Sequence, residues 1–499
     1  MPAATLTELI ESTAARRPDA PALPGFSWAQ AAAEVRRIAG GLARQGIGPG
    51  DRVALFLPNR PAMLLLLLAL ARRGACAVLL NTRFRAAELG PLLARAQPCA
   101  IAIARDFPAV DAAAILADVP SEQRVSLRFA IGVDALGAGS VAGLPVLPFA
   151  ALADGAEAAD AAREDAACLT FTTSGTTAGP KLVLHHQRSI ARHARDVAAR
   201  IGTEAPGAAF LAAVPLCGTF GLSAAMAALA GGAAIHPMER FDAVAADAAI
   251  RAEGITHLVG GDDMLLLLLA EAARGAYAPF AFTGFANFHG KADRVMAESA
   301  RLNLAVRGVY GSSEAQALFA LQDPAGAHVA IGGGMPASAE AGFRVAEDGA
   351  LLLRGPSLFA EYLGDAAATA RARTADGWFR SGDLATAQAD GRGFDFVTRA
   401  GDALRLGGFL VAPEEIESFL LAQTGIRAAQ VVAHEGRAVA FVIPGDGYDD
   451  AAVMAACAAQ LARFKLPQRI VALQEFPTTD GPNGRKVQRA KLREMAAAS

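Results

Sequence analysis

The segment TTSGTTAGPK at residues 172–181 places hydroxyl side chains, glycines and a lysine in one short polar stretch. Backbone N–H groups and hydroxyls in such a loop can surround phosphate oxygens, and the lysine adds a positive charge. The spacing departs from the GxxxxGK[ST] phosphate-loop pattern, because Pro180 separates Gly179 from Lys181. Taken alone, the segment is about equally consistent with a polar turn between a strand and a helix.

The composition describes a globular chain and limits the possible function classes. A length of 499 residues is too great for one simple core, so two or three domains are expected. A net charge of −3 gives no reason to expect a nucleic-acid partner. The five cysteines are scattered without CxxC spacing, which indicates reduced thiols and a cytoplasmic location. The eight histidines form no HExxH pattern, so a structural zinc site is not expected.

Two leucine-rich runs are too short to be integral membrane segments. The runs MLLLLLALARR and GDDMLLLLLAEAARG fall well below the ~20 apolar residues that a membrane span needs. Both are predicted to be buried helices, the second capped by Asp262 or Asp263. The first residues of the chain lack a basic region followed by an apolar one, so no secretory signal is expected.

The order of strand and helix patterns predicts an α/β fold. Strand-like DRVALFLP and ACAVLLN alternate with helical segments, which indicates a parallel sheet covered on both faces. The same pattern continues with the strand CLTFTTS, the polar loop and the helix HQRSIARHARDVAARIG. From about residue 330, GFRVAEDGALLLRGPS and GRGFDFVTRAG predict short antiparallel strands. We therefore expect a large N-terminal domain at 1–401, with parallel-rich sheets and a small antiparallel β subdomain, and a small α+β C-terminal domain at 402–499.

Six segments in order resemble the adenylate-forming (AMP-binding) superfamily, which includes acyl-CoA synthetases, luciferases and peptide-synthetase adenylation domains. In chain order they are GIGPGDRVALFLPNRP, GACAVLLNTRFRAAEL, TTSGTTAGPK, VYGSSEAQ, GWFRSGDLATAQADGRGFDFVTRAGDALRLGGFLVAPEEIE and GPNGRKVQRAKLRE. Each segment alone is a weak or moderate signal, but six in the right order extend over nearly the whole chain. The chain is most similar to the acyl-CoA synthetases, or fatty-acid-CoA ligases, of this superfamily.

The resemblance implies an ATP-dependent acid–thiol ligase. Such an enzyme activates a small-molecule carboxylic acid as acyl-AMP, releases pyrophosphate and then transfers the acyl group to CoA. The alternative is transfer to an amine, which gives an amide, or to a carrier protein. A non-catalytic nucleotide-binding regulator would lack catalytic positions, whereas Lys486, Glu314 and Asp383 are present. A serine hydrolase built on Ser312 or Ser313 would lack the GxSxG elbow.

The resemblance also implies a site for ATP and Mg²⁺. Its β- and γ-phosphates would be held by Thr173, Ser174, Gly175, Thr176, Thr177 and Lys181. Tyr310 would stack on adenine, Asp383 would accept the ribose hydroxyls, and Arg399 would contact ribose and phosphate. Ser313 would bond the α-phosphate, and Glu314 would bind Mg²⁺, a hard cation that prefers oxygen ligands.

Four further positions match the superfamily's catalytic lysine, its hinge and its CoA tunnel. Lys486 matches the catalytic lysine, which would bridge the attacking carboxylate and the α-phosphate. Asp402 matches the hinge about which the mobile C-terminal domain pivots between the two half-reactions. Gly407 and Gly408 would line the CoA tunnel and let the pantetheine arm pass close to the backbone.

The resemblance implies that three segments line the acid pocket, VPLCGTFGLS, TGFANFHG and EAQALFA. Its candidate residues are Cys217, Gly218, Phe220, Phe285, Asn287 and Ala315. These residue types predict an apolar pocket without an evident arginine, which favours a bulky or aliphatic acid over a dicarboxylic acid such as malonate. His185 and His186 receive no role, and the chain is expected to be a monomer or a homodimer.

Overall fold

The computed structural model describes residues 4–498 except 135–136, 174–180, 272–274, 276, 278–279, 289–290, 303, 327–328, 330, 407–408, 412, 462–464 and 482–483. For residues 405, 409–410, 480–481, 484 and 486 it describes the main chain alone. The predicted site residues that lie outside the described ones are Ser174, Gly175, Thr176, Thr177, Gly407 and Gly408, together with the side chain of Lys486.

The helices mostly cover the sheets with one buried face. Several start at a side-chain cap, as at Thr5 and Ser27, where a hydroxyl accepts a bond from a backbone N–H of the first turn. Numbered along the chain, the α-helices are α1 (Leu6–Arg16), α2 (Trp28–Arg44), α3 (Pro61–Arg72), α4 (Ala86–Ala96), α5 (Ala112–Asp118), α6 (Gln187–Ile201), α7 (Thr219–Gly231), α8 (Ala243–Ala252), α9 (Asp262–Glu271), α10 (Ala292–Arg301), α11 (Ala366–Arg371), α12 (Pro413–Leu421), α13 (Asp450–Gln460) and α14 (Arg489–Ala498).

The first large sheet has a parallel centre, as the alternating patterns predict. Within the described residues its spatial order is β20 (Glu361–Tyr362), β10 (Leu182–His186), β9 (Ala167–Thr172), β4 (Cys76–Leu79), β3 (Arg52–Phe56), β5 (Ala100–Ile103), β6 (Phe129–Gly132), β8 (Leu144–Pro148) and β7 (Gly139–Val141). Strands β9, β4, β3, β5, β6 and β8 are parallel, and the strands at both ends pair antiparallel.

The second large sheet changes from parallel to antiparallel part-way across. In the described part of the chain its order is β12 (Ala234–Pro237), β11 (Ala209–Ala212), β13 (His257–Gly261), β14 (Phe282–Ala286), β15 (Val306–Ser312), β16 (Gln316–Leu321), β17 (Gly333–Pro336), β22 (Phe394–Arg399), β21 (Phe379–Ala387), β19 (Ala350–Arg354) and β18 (Gly342–Val345). The change occurs at β15, which pairs parallel with β14 and antiparallel with β16. The antiparallel strands predicted beyond residue 330 therefore continue the same sheet.

The last hundred residues form smaller sheets of their own. The described strands here are β23 (Leu404–Leu406) with β24 (Phe409–Val411), β25 (Ile426–His434) with β26 (Arg437–Pro444) and β27 (Pro467–Ala472), and β28 (Thr478–Gly481) with β29 (Gly484–Val487). A short hairpin near the N-terminus joins β1 (Pro21–Leu23) and β2 (Phe26–Ser27). The mixed α/β fold, with a large parallel-rich part and a small C-terminal part, is confirmed.

One predicted connection is wrong. The polar loop was expected to join a strand to a helix, but it joins β9 to β10, which pair antiparallel. The segment Leu182–His186 is extended because its apolar side chains are buried in the sheet, and α6 begins only at Gln187. The two strands therefore hold both ends of the loop, at Thr173 and Lys181.

The prediction that both leucine-rich runs form buried helices is confirmed for the first run and only in part for the second, where Leu267 is 57% exposed. Residues 62–71 of α3 are all buried, between the first sheet and α2. The second run forms α9, which is partly buried. Among the described helices, none combines the length and the unbroken apolar character that crossing a bilayer requires.

Candidate active site

Two residues close the polar loop at its base. The Thr173 N–H donates to the Lys181 carbonyl at 3.0 Å, and the Lys181 N–H donates to the Thr173 hydroxyl at 3.2 Å. These reciprocal bonds continue the β9–β10 ladder up to the loop. The seven residues between them lie outside the described residues, so their predicted phosphate contacts stay predictions.

Lys181 and Glu314 are brought together through a third residue, Tyr362. The Lys181 ammonium lies 4.4 Å from the centre of the Tyr362 ring, within the range of a cation–π interaction. The hydroxyl of that ring donates to Glu314 Oε1 at 2.8 Å. Burial and the Glu314 charge raise the pKa of Tyr362, which keeps its hydroxyl protonated as a donor. Tyr362 therefore contacts both Lys181, the proposed phosphate-binding cation, and Glu314, the proposed metal-binding carboxylate.

The nucleoside candidates Tyr310, Asp383 and Arg399 form a second cluster. Asp383 on β21 and Arg399 on β22 are direct cross-strand partners, and Arg399 Nε lies 3.0 Å from Asp383 Oδ1. The Tyr310 hydroxyl, on β15, donates to Asp383 Oδ2 at 2.5 Å. Asp383 is only 3% exposed, so its charge depends on these partners. Burial and Asp383 raise the pKa of Tyr310, and the charge of Asp383 raises the pKa of Arg399.

The ring of Tyr310 is largely enclosed by aromatic side chains. It packs edge-on against Phe394 with centroids 5.1 Å apart, and against Phe396 at 6.1 Å. The residue is 6% exposed. The ring is thus positioned by its neighbours on β22 and by its bond to Asp383, and its stacking on adenine stays a prediction.

Four of the six acid-pocket candidates are buried near the start of α7. Cys217 and Phe220 are each 4% exposed, Ala315 is 0% exposed, and Gly218 is the N-cap residue of α7. Burial raises the pKa of the Cys217 thiol to about 12, so the thiol is protonated at neutral pH and acts as an apolar packing group. Asn287 is exposed just beyond β14.

Phe285 does not join this group, which corrects the predicted pocket. Phe282 on the same strand belongs to the main core, which also holds Phe220, whereas Phe285 belongs to a separate core with Leu265 and Val295. Side chains alternate between the two faces of a strand, so Phe285 points away from Phe220 and Cys217. A sequence pattern cannot assign the face of a strand that is buried on both sides.

The predicted hinge residue makes a long-range contact. Arg493 on α14 lies 2.8 Å from the Asp402 carboxylate and donates to the Gly401 carbonyl at 2.7 Å. Lys486 lies on β29, where it is the cross-strand partner of Thr479 on β28. The main chain of the proposed catalytic lysine is therefore part of a hairpin that leads directly into α14.

Comparison with family models matches residues 10–363 to the AMP-binding enzyme family and residues 415–481 to the AMP-binding enzyme C-terminal domain. The first match covers well over half of the chain. The chain belongs to the AMP-binding enzyme family. The resemblance inferred from the six segments is confirmed.

Two relatives of this AMP-binding enzyme are named CoA ligases. The 3-[(3aS,4S,7aS)-7a-methyl-1,5-dioxo-octahydro-1H-inden-4-yl]propanoyl:CoA ligase of Mycobacterium tuberculosis is 32% identical over 482 residues, 92% of this chain and 91% of the relative. The sulfoacetate–CoA ligase of Cupriavidus necator is 31% identical over 518 residues, 98% of this chain and 97% of the relative. These relatives confirm the expectation of an AMP-forming acyl-CoA ligase.

The fold of the AMP-binding enzyme is also found in a solved structure. ATP-bound MatB from Rhodopseudomonas palustris has a TM-score of 0.82 to this chain at 24% identity, and the match covers 99% of this chain and 98% of that one. At this identity the likeness establishes the fold, which agrees with the arrangement of the two large sheets.

Sequence reasoning missed three supporting residues of this AMP-binding enzyme. Tyr362 joins the proposed phosphate and metal groups, as described above. Buried His185 donates from Nε2 to the Ser313 carbonyl at 2.8 Å, which fixes the main chain beside Glu314. Buried Asn59 bonds three main-chain groups of the segment just before Cys217, namely those of Ala212, Val214 and Leu216. No local pattern marks these residues, because their partners are distant in the sequence.

Proposed function

We propose that this AMP-binding enzyme activates a bulky, largely apolar monocarboxylic acid with ATP and transfers the acyl group to CoA. The observation that carries the proposal is the convergence of two clusters on the β15–β16 turn. Tyr310 contacts Asp383 in the cluster proposed to bind the nucleoside. Glu314, four residues later, lies with Tyr362 and Lys181 in the cluster proposed to bind phosphate and metal. Together the two clusters offer groups for ribose, base and phosphate on both sides of the β15–β16 turn.

In the first half-reaction, the acid carboxylate attacks the α-phosphorus of ATP, and pyrophosphate leaves as the P–O bond to it breaks. Lys181 would neutralise charge on the departing phosphates, and Asp383 would orient the ribose. Lys486 would stabilise the charge that develops between the carboxylate and the α-phosphate, with Ser313 as a further donor. In the second, the CoA thiol displaces AMP from the mixed anhydride.

The residues present fit a magnesium ion. The Glu314 carboxylate supplies hard oxygen donors, and Tyr362 fixes its orientation through Oε1. Bound Mg²⁺ would neutralise phosphate charge beside Lys181. The supporting hydrogen bond from Tyr362 is the arrangement expected around a ligating carboxylate.

The apolar pocket lining favours a bulky acid. Cys217, Phe220 and Ala315 are uncharged and buried. The Mycobacterium tuberculosis relative acts on a bicyclic propanoate, and the Cupriavidus necator relative acts on sulfoacetate, at nearly equal identity. Identity therefore does not decide between these acids, whereas a sulfonate would require a nearby cation. Exposed Arg83 lies close enough to Cys217 for its positive charge to act on the pKa of that thiol. Arg83 is therefore the position to test.

The remaining expectations belong to the same proposal. Residues 1–401 would form the adenylation domain and residues 402–499 the mobile domain, with the hinge at Asp402 and the CoA tunnel at Gly407 and Gly408. The five cysteines are free thiols, which supports a reducing, cytoplasmic location. We propose a monomer or homodimer that needs no nucleic-acid partner.

The test is pyrophosphate release with Mg-ATP and a panel of acids, each with and without CoA. We expect release with bicyclic or long aliphatic monocarboxylic acids, faster turnover when CoA is added, and weak release with malonate or sulfoacetate. Acid-dependent release that ignores CoA would instead support transfer to an amine or a carrier protein. Strong turnover of sulfoacetate that is lost in Arg83→Ala would contradict the apolar-acid proposal, while acyl-AMP formation would still stand.

A further inference from the structure

A cavity of about 430 Å³ lies beside the first turn of α6. It begins at His186, at the opposite end of β10 from the polar loop. Its wall includes His186 and Arg188 at the start of α6, Arg354 at the end of β19, and Arg373 just beyond α11. We call it the arginine cavity. Its volume lies within the range of ordinary small-molecule pockets.

The arginine cavity concentrates positive charge, and the acidic charges of Asp165 and Glu361 act on its His186. Among the described residues that line it there is no aspartate or glutamate. In the described part of the chain, no carboxylate lies within 4.0 Å of Arg188, Arg354 or Arg373. By contrast, the nearby Arg192 and Arg344 each form an ion pair. Three guanidinium groups around one cavity repel one another unless an anion neutralises them.

Two of the three guanidinium groups are held in place by contacts that leave donors available. Arg373 Nη2 donates to the Phe359 carbonyl at 2.9 Å, and its guanidinium carbon lies 5.4 Å from the centre of the Phe359 ring. Arg354 lies 4.9 Å from the ring centre of Trp378. A guanidinium carries five N–H donors in a planar fork that matches phosphate oxygens. The cavity is therefore partly pre-organised for an oxyanion.

The arginine cavity is separate from the polar loop, but its wall is hydrogen-bonded to the β15–β16 turn that carries Glu314. The loop enters β10 at Leu182 and the cavity begins at His186, so about 13 Å of strand separates them. On another side, the N–H of Phe359 in the cavity wall donates to the Glu314 carbonyl at 2.7 Å. A group bound in the cavity would thus lie behind the main chain of Glu314.

We propose that the arginine cavity is a second anion site, which binds a phosphate group through Arg188, Arg354 and Arg373. The phosphate would come either from the free ion or from a phosphorylated small molecule. The proposal does not depend on the acid substrate or on CoA, because it concerns binding at a different place in the fold.

The test is isothermal titration calorimetry of the whole protein, without ATP, against inorganic phosphate, pyrophosphate and 3′,5′-ADP. All titrations are done in the Lys181→Ala background, so that the polar loop contributes little. We expect binding in this background and a loss of about tenfold or more in affinity when Arg188→Gln and Arg354→Gln are added. Arg301→Gln is the matched control, because Arg301 is an exposed arginine on α10 that pairs with Glu298 of the same helix.

Each outcome supports or overturns the proposal. Binding that weakens with the cavity substitutions and not with Arg301→Gln supports it, and the ligand with the highest affinity then identifies the source of the phosphate. Absence of binding in the Lys181→Ala background, or equal affinity with and without the cavity arginines, overturns it. Arg188→Gln alone changes an exposed side chain and provides the comparison if the double substitution lowers the melting temperature.

Discussion

Arg493, on the last helix, holds the carboxylate of Asp402 at 2.8 Å and donates to the adjacent Gly401 carbonyl at 2.7 Å. The strand that carries Lys486 leads directly into that helix. The proposed catalytic lysine and the proposed hinge are therefore connected through one short path of main chain and one ion pair. Any pivot of the C-terminal residues at Asp402 must keep, weaken or break this contact.

We expect Arg493→Ala to change the balance between the two half-reactions. The partly exposed pair, together with the bond to the carbonyl, is worth about 1 kcal/mol, or about fivefold in a conformational equilibrium. Single-turnover formation of acyl-AMP and its conversion to thioester, measured separately, should change by different factors. Arg427→Ala is the control, since Arg427 also donates to a carbonyl in the C-terminal residues, but far from Asp402 in sequence. Equal slowing of both steps would contradict a role at the hinge.

Tyr310→Phe should weaken use of ATP. The substitution removes the hydroxyl that donates to buried Asp383, and a buried carboxylate that loses a donor costs about 1–3 kcal/mol. We expect kcat/KM for ATP to fall about tenfold, with a lower melting temperature. Tyr448→Phe provides the matched control, because the Tyr448 hydroxyl donates to the exposed Asp450. An unchanged kcat/KM in Tyr310→Phe would show that Asp383 does not need this donor.

Tyr362→Phe should raise the Mg²⁺ concentration needed for activity. The variant keeps the ring beside Lys181 but removes the donor to Glu314, so the carboxylate is less well oriented. We expect a several-fold higher half-saturating Mg²⁺ concentration, with a smaller effect on the maximal rate. Tyr362→Leu should additionally raise the KM for ATP, because it removes the cation–π contact. Identical Mg²⁺ titrations of wild type and Tyr362→Phe would argue against Glu314 as a metal ligand.

The protein should lose stability below about pH 6.5 because His185, His193 and His257 are buried and burial lowers the pKa of each. Burial lowers the pKa of both His185 and His193 from 6.5 to about 4, and each ring donates to a main-chain carbonyl. The unfolded chain binds protons first as pH falls from 6.5 to 4, so the free energy of unfolding decreases across that window. His185 and His193 each contribute up to about 3 kcal/mol of this decrease.

Denaturant unfolding at several pH values measures that effect. His193→Gln should flatten the dependence between pH 6.5 and 4, although it lowers stability at pH 7. His434→Gln serves as the control, because His434 lies in an ordinary partly exposed position on β25. The same pH slope in wild type and His193→Gln would contradict the assignment of a buried neutral imidazole.

Gly311→Ala should destabilise the β15–β16 turn. A Cβ at this position would lie 2.3 Å from the Gln316 carbonyl oxygen and 2.5 Å from the Ala317 Cα, both of them main-chain atoms. We expect a loss of about 1–3 kcal/mol in the free energy of unfolding, together with impaired acyl-AMP formation. Gly401→Ala adds a methyl group in open space and should leave the melting temperature nearly unchanged. A neutral Gly311→Ala would mean that the two strands can separate at little cost.

The sequence by itself determined the family and most of the chemical groups, because each ordered segment combines residue types that phosphate, ribose or a metal requires. It placed Asp383, Arg399, Tyr310 and Glu314 as candidates, and the structure brings them into two adjoining clusters. It also predicted the alternation of strands and helices, since hydrophobic periodicity is a local property.

Only the tertiary structure decided which side chains meet across long separations in the chain. Tyr310 reaches Asp383 across 73 positions, and His185 reaches Ser313 across 128. It placed Phe285 in a separate core, paired the strands on either side of the polar loop antiparallel, and assembled Arg188, Arg354 and Arg373 around one cavity. The physical reason is that local sequence sets the conformation and chemistry of a segment, whereas contacts between distant segments depend on how the buried faces of two large sheets pack together.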